Sequence, residues 1–228
     1  MLESKFILMD KYEIQEKSKI KRTPNRASYD KESVYKILDD NFLCHVAFNG
    51  KETPFVIPTI YGRIGDSIYL HGSVKSRMMK NLAEGIPVCI SVAMVDGLVL
   101  ARSVFHHSAN YRSVVLFGKA KEVTDDAEKN KAFEVITENV LKGRWNEARQ
   151  PSQKEIDVTA VLEVKIETAS AKVRTGGPVD DKEDYDLDIW AGVIPVNEVY
   201  GEPITDELSK KEIEVSESVQ LVLKERKH

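Results

Sequence analysis

Apolar residues recur mostly at every second position, in short runs broken by turn residues. Asn41-Phe-Leu-Cys-His-Val-Ala-Phe48 alternates and is rich in strand formers, and Asn49-Gly50 follows it as a hairpin turn signal. Pro54 to Arg63 predicts a second strand and Ser67 to His71 a third. Val88-Cys-Ile-Ser-Val-Ala-Met-Val95 is continuously apolar and predicts a strand buried on both faces. Arg112 to Val123 and Val158 to Ile166 complete the strand set. Helical spacing appears in three places. One helix starts near Ser28, with Asp30 or Ser28 as its cap and Val34, Ile37 and Leu38 as its buried stripe. A short one spans 76 to 83 and stops before Gly85-Ile-Pro87. The third runs from Asp125 to Lys142 with apolar Ala132, Phe133, Ile136, Val140 and Leu141. Six short strands with few helices predict a mainly β fold, a closed β-barrel with peripheral helices. Strict strand–helix alternation is missing, which argues against a doubly wound parallel sheet.

This pattern divides the 228 residues into an arm over 1–28, a barrel domain over 29–200 and a charged tail over 201–228. The tail holds one helix-like or strand-like run, Glu212 to Leu223. With 42% hydrophobic residues the chain can bury a core. Its net charge of −4 offers no global attraction to nucleic acid or to an anionic membrane. No apolar run reaches membrane-spanning length, and Met1 to Asp10 lacks the basic-then-apolar order of a secretory signal. Cys44 and Cys89 each sit in an apolar run, which predicts two buried free thiols in a reducing compartment. A cytoplasmic soluble protein is the expectation.

Candidate chemistry concentrates where the third strand gives way to the short helix. Gly72 and Ser73 end the strand, Ser76 caps the helix, and Lys75 and Arg77 flank its start. Backbone N–H groups, hydroxyls and two cations together make a phosphate grip. It is neither a P-loop nor a dinucleotide fingerprint, since the required glycine spacings are missing. Taken alone, such a stretch is also what a solvated basic helix start looks like. Other chemistries find less support. Adjacent His106 and His107 cannot share one face, and no Cys-x-x-Cys suggests zinc. No Gly-x-Ser-x-Gly elbow supports a hydrolase. Asp180 to Asp188 lacks calcium-loop spacing and reads as a solvated acidic loop. Trp145 reads as structural, and Trp190 as structural or as a cover for a planar ligand. Asp96 to Val115 reads as a long polar connection between two barrel strands, dense in groups that bind something specific or satisfy one another.

Several stretches in order resemble the pyridoxamine 5′-phosphate oxidase-like split-barrel flavoproteins, in the flavin-nucleotide-binding, nitroimidazole-resistance-type branch. They are Arg26-Ala-Ser-Tyr-Asp30, Ile57-Pro-Thr59, Leu70-His-Gly-Ser73 with Ser76-Arg77, and Asp96-Gly-Leu-Val-Leu-Ala-Arg-Ser103. They continue through His106-His-Ser108, Asn110-Tyr-Arg-Ser-Val114, Ser170-Ala-Lys-Val-Arg-Thr-Gly176 and Trp190-Ala-Gly-Val-Ile-Pro195. The resemblance implies a homodimeric FMN-binding split β-barrel with FMN at each of two subunit interfaces. It implies that Lys75, Ser76 and Arg77 hold the phosphate, and that Val56, Ile57, Pro58 and Thr59 run along the flavin with Leu70, His71, Gly72 and Ser73. It adds Arg112, Ser113 and Trp190 to the cofactor set, from across the dimer. The basic strand pattern and the C-terminal arginine motif of the vitamin B6 oxidases proper are not present.

The function that follows is an FMN-dependent oxidoreductase acting on small planar or nitro-type compounds, the flavin carrying the electrons. A flavin- or haem-binding protein that stores or senses its ligand without turnover is the alternative. His71 precedes the grip and shares a strand face with Tyr69. It either serves the reaction or only hydrogen-bonds backbone where the strand ends. No metal site is expected.

Overall fold

A computed structural model describes residues 10–210 and 213–225. Residues 1–9 of the expected arm, with the Met1 to Asp10 signal reading up to that point, lie outside the described residues, as do 211–212 and 226–228 of the tail.

The strands are β1 (Ala27–Ser28), β2 (Leu43–Asn49), β3 (Pro54–Ile60), β4 (Gly62–Ile64), β5 (Ser67–Ser73), β6 (Pro87–Leu100), β7 (Ser108–Val123), β8 (Thr159–Arg174) and β9 (Gly192–Pro195). The helices are α1 (Lys31–Asp39), α2 (Arg77–Ala83), α3 (Asp126–Val140), α4 (Arg144–Glu147), α5 (Gln153–Asp157) and α6 (Glu217–Glu225). The sheet runs β3-β2-β6-β7-β8-β5-β4, with β1 on β8 and β9 on β6, and every pairing is antiparallel. Its two end strands are consecutive in the chain. Among the described residues no ladder joins β3 to β5, so the barrel is split there and β3 keeps one free edge. Pro54 and Pro58 fit such an edge, because a strand with one unpaired side tolerates missing N–H donors.

Alternation fills the barrel. Val46, Ile68, Leu70, Val88, Ile90, Val92, Val114, Leu116, Leu162 and Val164 all point inward and are buried. The apolar run at 88–95 is therefore not buried on both faces. Ala93 and Val95 face out while Val88, Ile90 and Val92 face in. The expected strand from 54 to 63 breaks at Tyr61. That side chain is buried and its hydroxyl donates to the Leu38 carbonyl, while Asn139 of α3 donates to the Tyr61 carbonyl at 2.9 Å. The break lets α3 approach closely: a Cβ on Gly62 would lie 2.7 Å from the α3 backbone, so only glycine fits. Asp30 caps α1 by accepting the Ser33 N–H, and Asp125 caps α3 likewise from Glu128. In the tail, the run anticipated from 212 becomes helix from Glu217.

The expected long connection from 96 to 115 is instead mostly strand. β6 continues to Leu100 and β7 begins at Ser108, with only a 3-10 turn at Val104–His106 between them. A register shift between Val95 and Gly97 lets the ladder continue. Alternation is hidden there because half of the side chains are polar. The acidic loop is mostly exposed from Asp181 to Asp188, as expected, and Asp180 alone departs from that reading. The Asp180 carboxylate is buried, accepts the Arg102 and Ser103 N–H groups at 3.0 and 3.2 Å, and pairs with the Arg102 guanidinium. It ties the loop to the hairpin end rather than lying in solvent.

The chain before β1 is pinned by Asp66. Its carboxylate accepts the Tyr12 and Tyr35 hydroxyls, each at 2.5 Å, and the Lys31 ammonium at 2.8 Å. Burial first, then this carboxylate, pushes the Tyr12 hydroxyl pKa far up. Both cysteines are free. Cys44 is buried and its thiol is pushed up to about 12 by desolvation, while Cys89 is only half-buried.

Candidate functional site

The β5–β8 register carries one step past Ser73, where the Val74 N–H donates to the Val158 carbonyl at 3.1 Å. Ser73 then accepts two N–H groups: its carbonyl takes Ser76 at 2.8 Å and its hydroxyl takes Lys75 at 3.2 Å. This tight turn brings Lys75 and Arg77 to the start of α2. Ser76 is the N-cap residue by position, but its side chain makes no capping bond. Its hydroxyl and the first N–H groups of α2 are thereby left for a ligand. The helix has only seven residues, so the positive potential here comes chiefly from the two cations. Neither Lys75 nor Arg77 has an ion-pair partner among the described residues.

The free edge of β3 meets this turn. The Arg77 guanidinium lies over the Phe55 ring, 4.1 Å from its centroid. Val56 and Pro58 point outward, Val56 with 65% of its surface exposed, whereas Ile57 and Thr59 turn partly inward. The open edge of β3 thus has a cation without an ion-pair partner resting on its inward-facing Phe55, while Val56 and Pro58 present apolar side chains on the opposite face of the strand. Of the other expected contributors, Leu70 has its side chain wholly in the core and offers only backbone. Gly72 lies against Met79 of α2.

His71 points the other way, towards α3. Its ring meets Phe133 edge-on at 6.3 Å between centroids. It lies between two adjoining clefts. One, of ≈350 Å³, is walled by Ile60, Ile136, Val140, Leu141 and Arg144. The other, of ≈330 Å³, is bounded by Arg149, Pro151, Glu155 and Thr159. The buried Nδ1 has no hydrogen-bond partner, so the ring does not tie off backbone through that atom. Desolvation lowers its pKa below the ordinary 6.5, which leaves a neutral imidazole at neutral pH.

Arg112, Ser113 and Trp190 are not brought to the grip within one chain. Ser73 pairs with Thr159 at the start of β8, whereas Arg112 pairs with Val173 near its end. Arg112 is held by two carboxylates, Asp96 at 2.9 Å and Asp40, which raise its pKa, Asp96 most. The Ser113 hydroxyl donates to the Lys172 carbonyl at 3.3 Å. Trp190 is 66% exposed and lies against Gly192, where a Cβ would come within 2.9 Å of its ring. Sequence reasoning missed Phe55 as the platform for Arg77, and it read Phe133 and Val140 simply as core. Helical spacing marks a residue as apolar but not whether it meets the sheet or a cleft.

The fold is a split antiparallel barrel with a cationic turn near its open edge. The sequence profile of the pyridoxamine 5′-phosphate oxidase family matches residues 30–173. The chain belongs to this family of flavin-binding split barrels. The flavocytochrome Anf3 from Azotobacter vinelandii is 38% identical and superposes with a TM-score of 0.86, over 91% of this chain and 97% of that one. The FAD and heme binding protein from Mycobacterium smegmatis is 34% identical with a TM-score of 0.83, over 86% and 97%. A candidate 5-nitroimidazole antibiotic resistance protein from Bacteroides thetaiotaomicron, 23% identical over 64% and 86% with a TM-score of 0.54, shares the fold. No curated protein sequence matches the chain.

Proposed function

We propose that this protein is a flavin-dependent redox protein that holds FMN with its phosphate at Ser73, Lys75, Ser76 and Arg77 and its ring along the edge of β3. The observation that carries this is the pair of unpartnered cations at the end of an open strand edge. Bound there, the flavin supplies the one- and two-electron chemistry. The chain's own groups orient it: two cations and two hydroxyls on the phosphate, outward Val56 and Pro58 against the ring. Small planar acceptors, nitro-type compounds among them, are the substrate class. Anaerobic addition of NADH or NADPH to the flavin-loaded protein tests turnover. Bleaching that reverses with a nitro compound supports the enzyme, and an oxidised flavin that survives every donor leaves a binding protein.

A second reading adds haem. Its support is the neutral His71 in a largely apolar double cleft, bordered by Arg144 and Arg149, which are paired with Glu147 and Glu155. That is the chemistry of a neutral imidazole ligand with cations for propionates. Two relatives above 30% identity are a flavocytochrome and an FAD and heme binding protein. Acid extraction and mass determination of the released groups decide between FMN and FAD, and a Soret band reports haem.

The site is completed by a second copy. A free β3 edge and the exposed Val56, Val95, Leu98, Ile194 and Trp190 need cover. A two-fold pair would bring Arg112, Ser113 and Trp190 of one chain to the grip of the other. Sedimentation at micromolar concentration is expected to show a dimer. A monomer that retains flavin tightly would contradict the shared site.

A further inference from the structure

A second cationic centre lies at the far end of β8 from the grip. Thr159 pairs with Ser73 and Arg174 with Tyr111, so the two centres are separated along β8 by roughly 50 Å of extended strand. Arg174 is only 7% exposed. Its Nη atoms donate to neutral oxygens alone, those of Asn110, Gly176 and Gly177, and its Nε has no acceptor. Three other partly buried arginines each meet a carboxylate: Arg63 with Asp39, Arg102 with Asp180, Arg112 with Asp96 and Asp40. Arg174 is more buried than these and has no counter-charge among the described residues. A buried cation without an anion is costly, so the missing charge calls for an explanation.

The surroundings sharpen it. Arg174 lines a cleft of ≈660 Å³ together with Arg22, Arg26 and Lys172. Arg26 has no carboxylate partner among the described residues, and Lys172 spends one donor on the Arg22 carbonyl at 3.1 Å. An ammonium has two more donors to give. Burial, then the nearby charge of Arg26, depresses the Arg174 pKa, so these cations face one another. Among the described residues the carboxylates at this cleft gather on its His106 side, where Nε2 is 3.1 Å from Asp181 and Asp184 lies within 4.8 Å. Tyr111 and the exposed Phe105 ring add apolar wall. The volume exceeds what a bare anion fills and suits a small organic ligand.

We infer that this cleft is a second anion site, which takes a phosphate-bearing ligand of nucleotide size through Arg26, Lys172 and Arg174. The cleft's anion chemistry stands without the flavin reading, but the first of its two sources rests on that reading and on the two-fold pair. Two sources share this chemistry: the adenylate half of an FAD reaching in from a partner chain's site, and a separately bound nucleotide such as a dinucleotide electron donor.

Pyrophosphate and ADP are titrated calorimetrically into the flavin-loaded full-length protein, and FAD and FMN affinities are measured after flavin removal. Saturable pyrophosphate binding, weakened about 10-fold or more in Arg26→Gln and in Lys172→Gln with flavin content unchanged, supports a separate nucleotide. A fall in FAD affinity in those variants with FMN affinity kept supports the cofactor's own adenylate as the occupant. These two surface variants carry the test should Arg174→Gln fail to fold. No saturable pyrophosphate or ADP binding, together with an unchanged FAD-to-FMN ratio in both variants, overturns the site. A chain that takes up no flavin would sink the flavin reading, yet pyrophosphate and ADP titrated into it would still test this cleft.

Discussion

Arg77→Ala is expected to weaken FMN binding about 10- to 100-fold, since a hydrogen bond to a charged group contributes ~1.5–3 kcal/mol. The size of the effect rests on the absence of any ion-pair partner for Arg77 among the described residues. No carboxylate has to be given up when the phosphate arrives. The guanidinium is already held over Phe55, 4.1 Å from the ring centroid, so little side-chain freedom is lost on binding. Riboflavin, which lacks the phosphate, should bind the intact protein far more weakly than FMN and should be nearly indifferent to the substitution. Fluorescence titration of the flavin-free protein with both ligands measures this. Equal affinity for FMN and riboflavin would remove the phosphate from the Ser73–Arg77 turn.

His71→Ala should leave most of the flavin in place and lower turnover, because the ring faces α3 and not the grip. On the haem reading, the same substitution abolishes the Soret band while the flavin spectrum stays. Loss of FMN as severe as in Arg77→Ala would instead put His71 in the flavin site. A pH signature accompanies it. Burial holds the imidazole pKa below 6.5, so below that value the unfolded chain binds a proton that the folded one refuses. Stability attached to His71 is therefore complete above about pH 6.5 and is lost as the pH falls through the folded pKa. His71→Leu should remove that dependence. The carboxylates of Asp30 and Asp66, held below their ordinary 3.8, act in a separate and more acidic window. Urea midpoints followed from neutral pH towards pH 4 separate the two. An unchanged profile in His71→Leu would mean that the imidazole is hydrated.

Alternating apolar positions, the capping Asp30 and Asp125, and Asn49-Gly50 determine strands, helices and the β2–β3 hairpin by themselves, since each is a local preference written in two to fifteen residues. The turn from Ser73 to Arg77 was equally legible, because its donors are neighbours in the chain. The polar stretch from 96 to 115 was not, because a ladder supported from both sides overrides weak local alternation. The burial of Asp180 was invisible for the same reason: an acid in an acidic run looks solvated until a distant Arg102 is folded against it. Tertiary structure alone decided that β3 keeps a free edge, that Arg77 rests on Phe55, and that His71 opens into a cleft under α3. It alone showed that Arg174 is buried without a counter-charge. Each of these depends on pairs far apart in the sequence, and no local pattern encodes which cation a folded chain leaves unanswered.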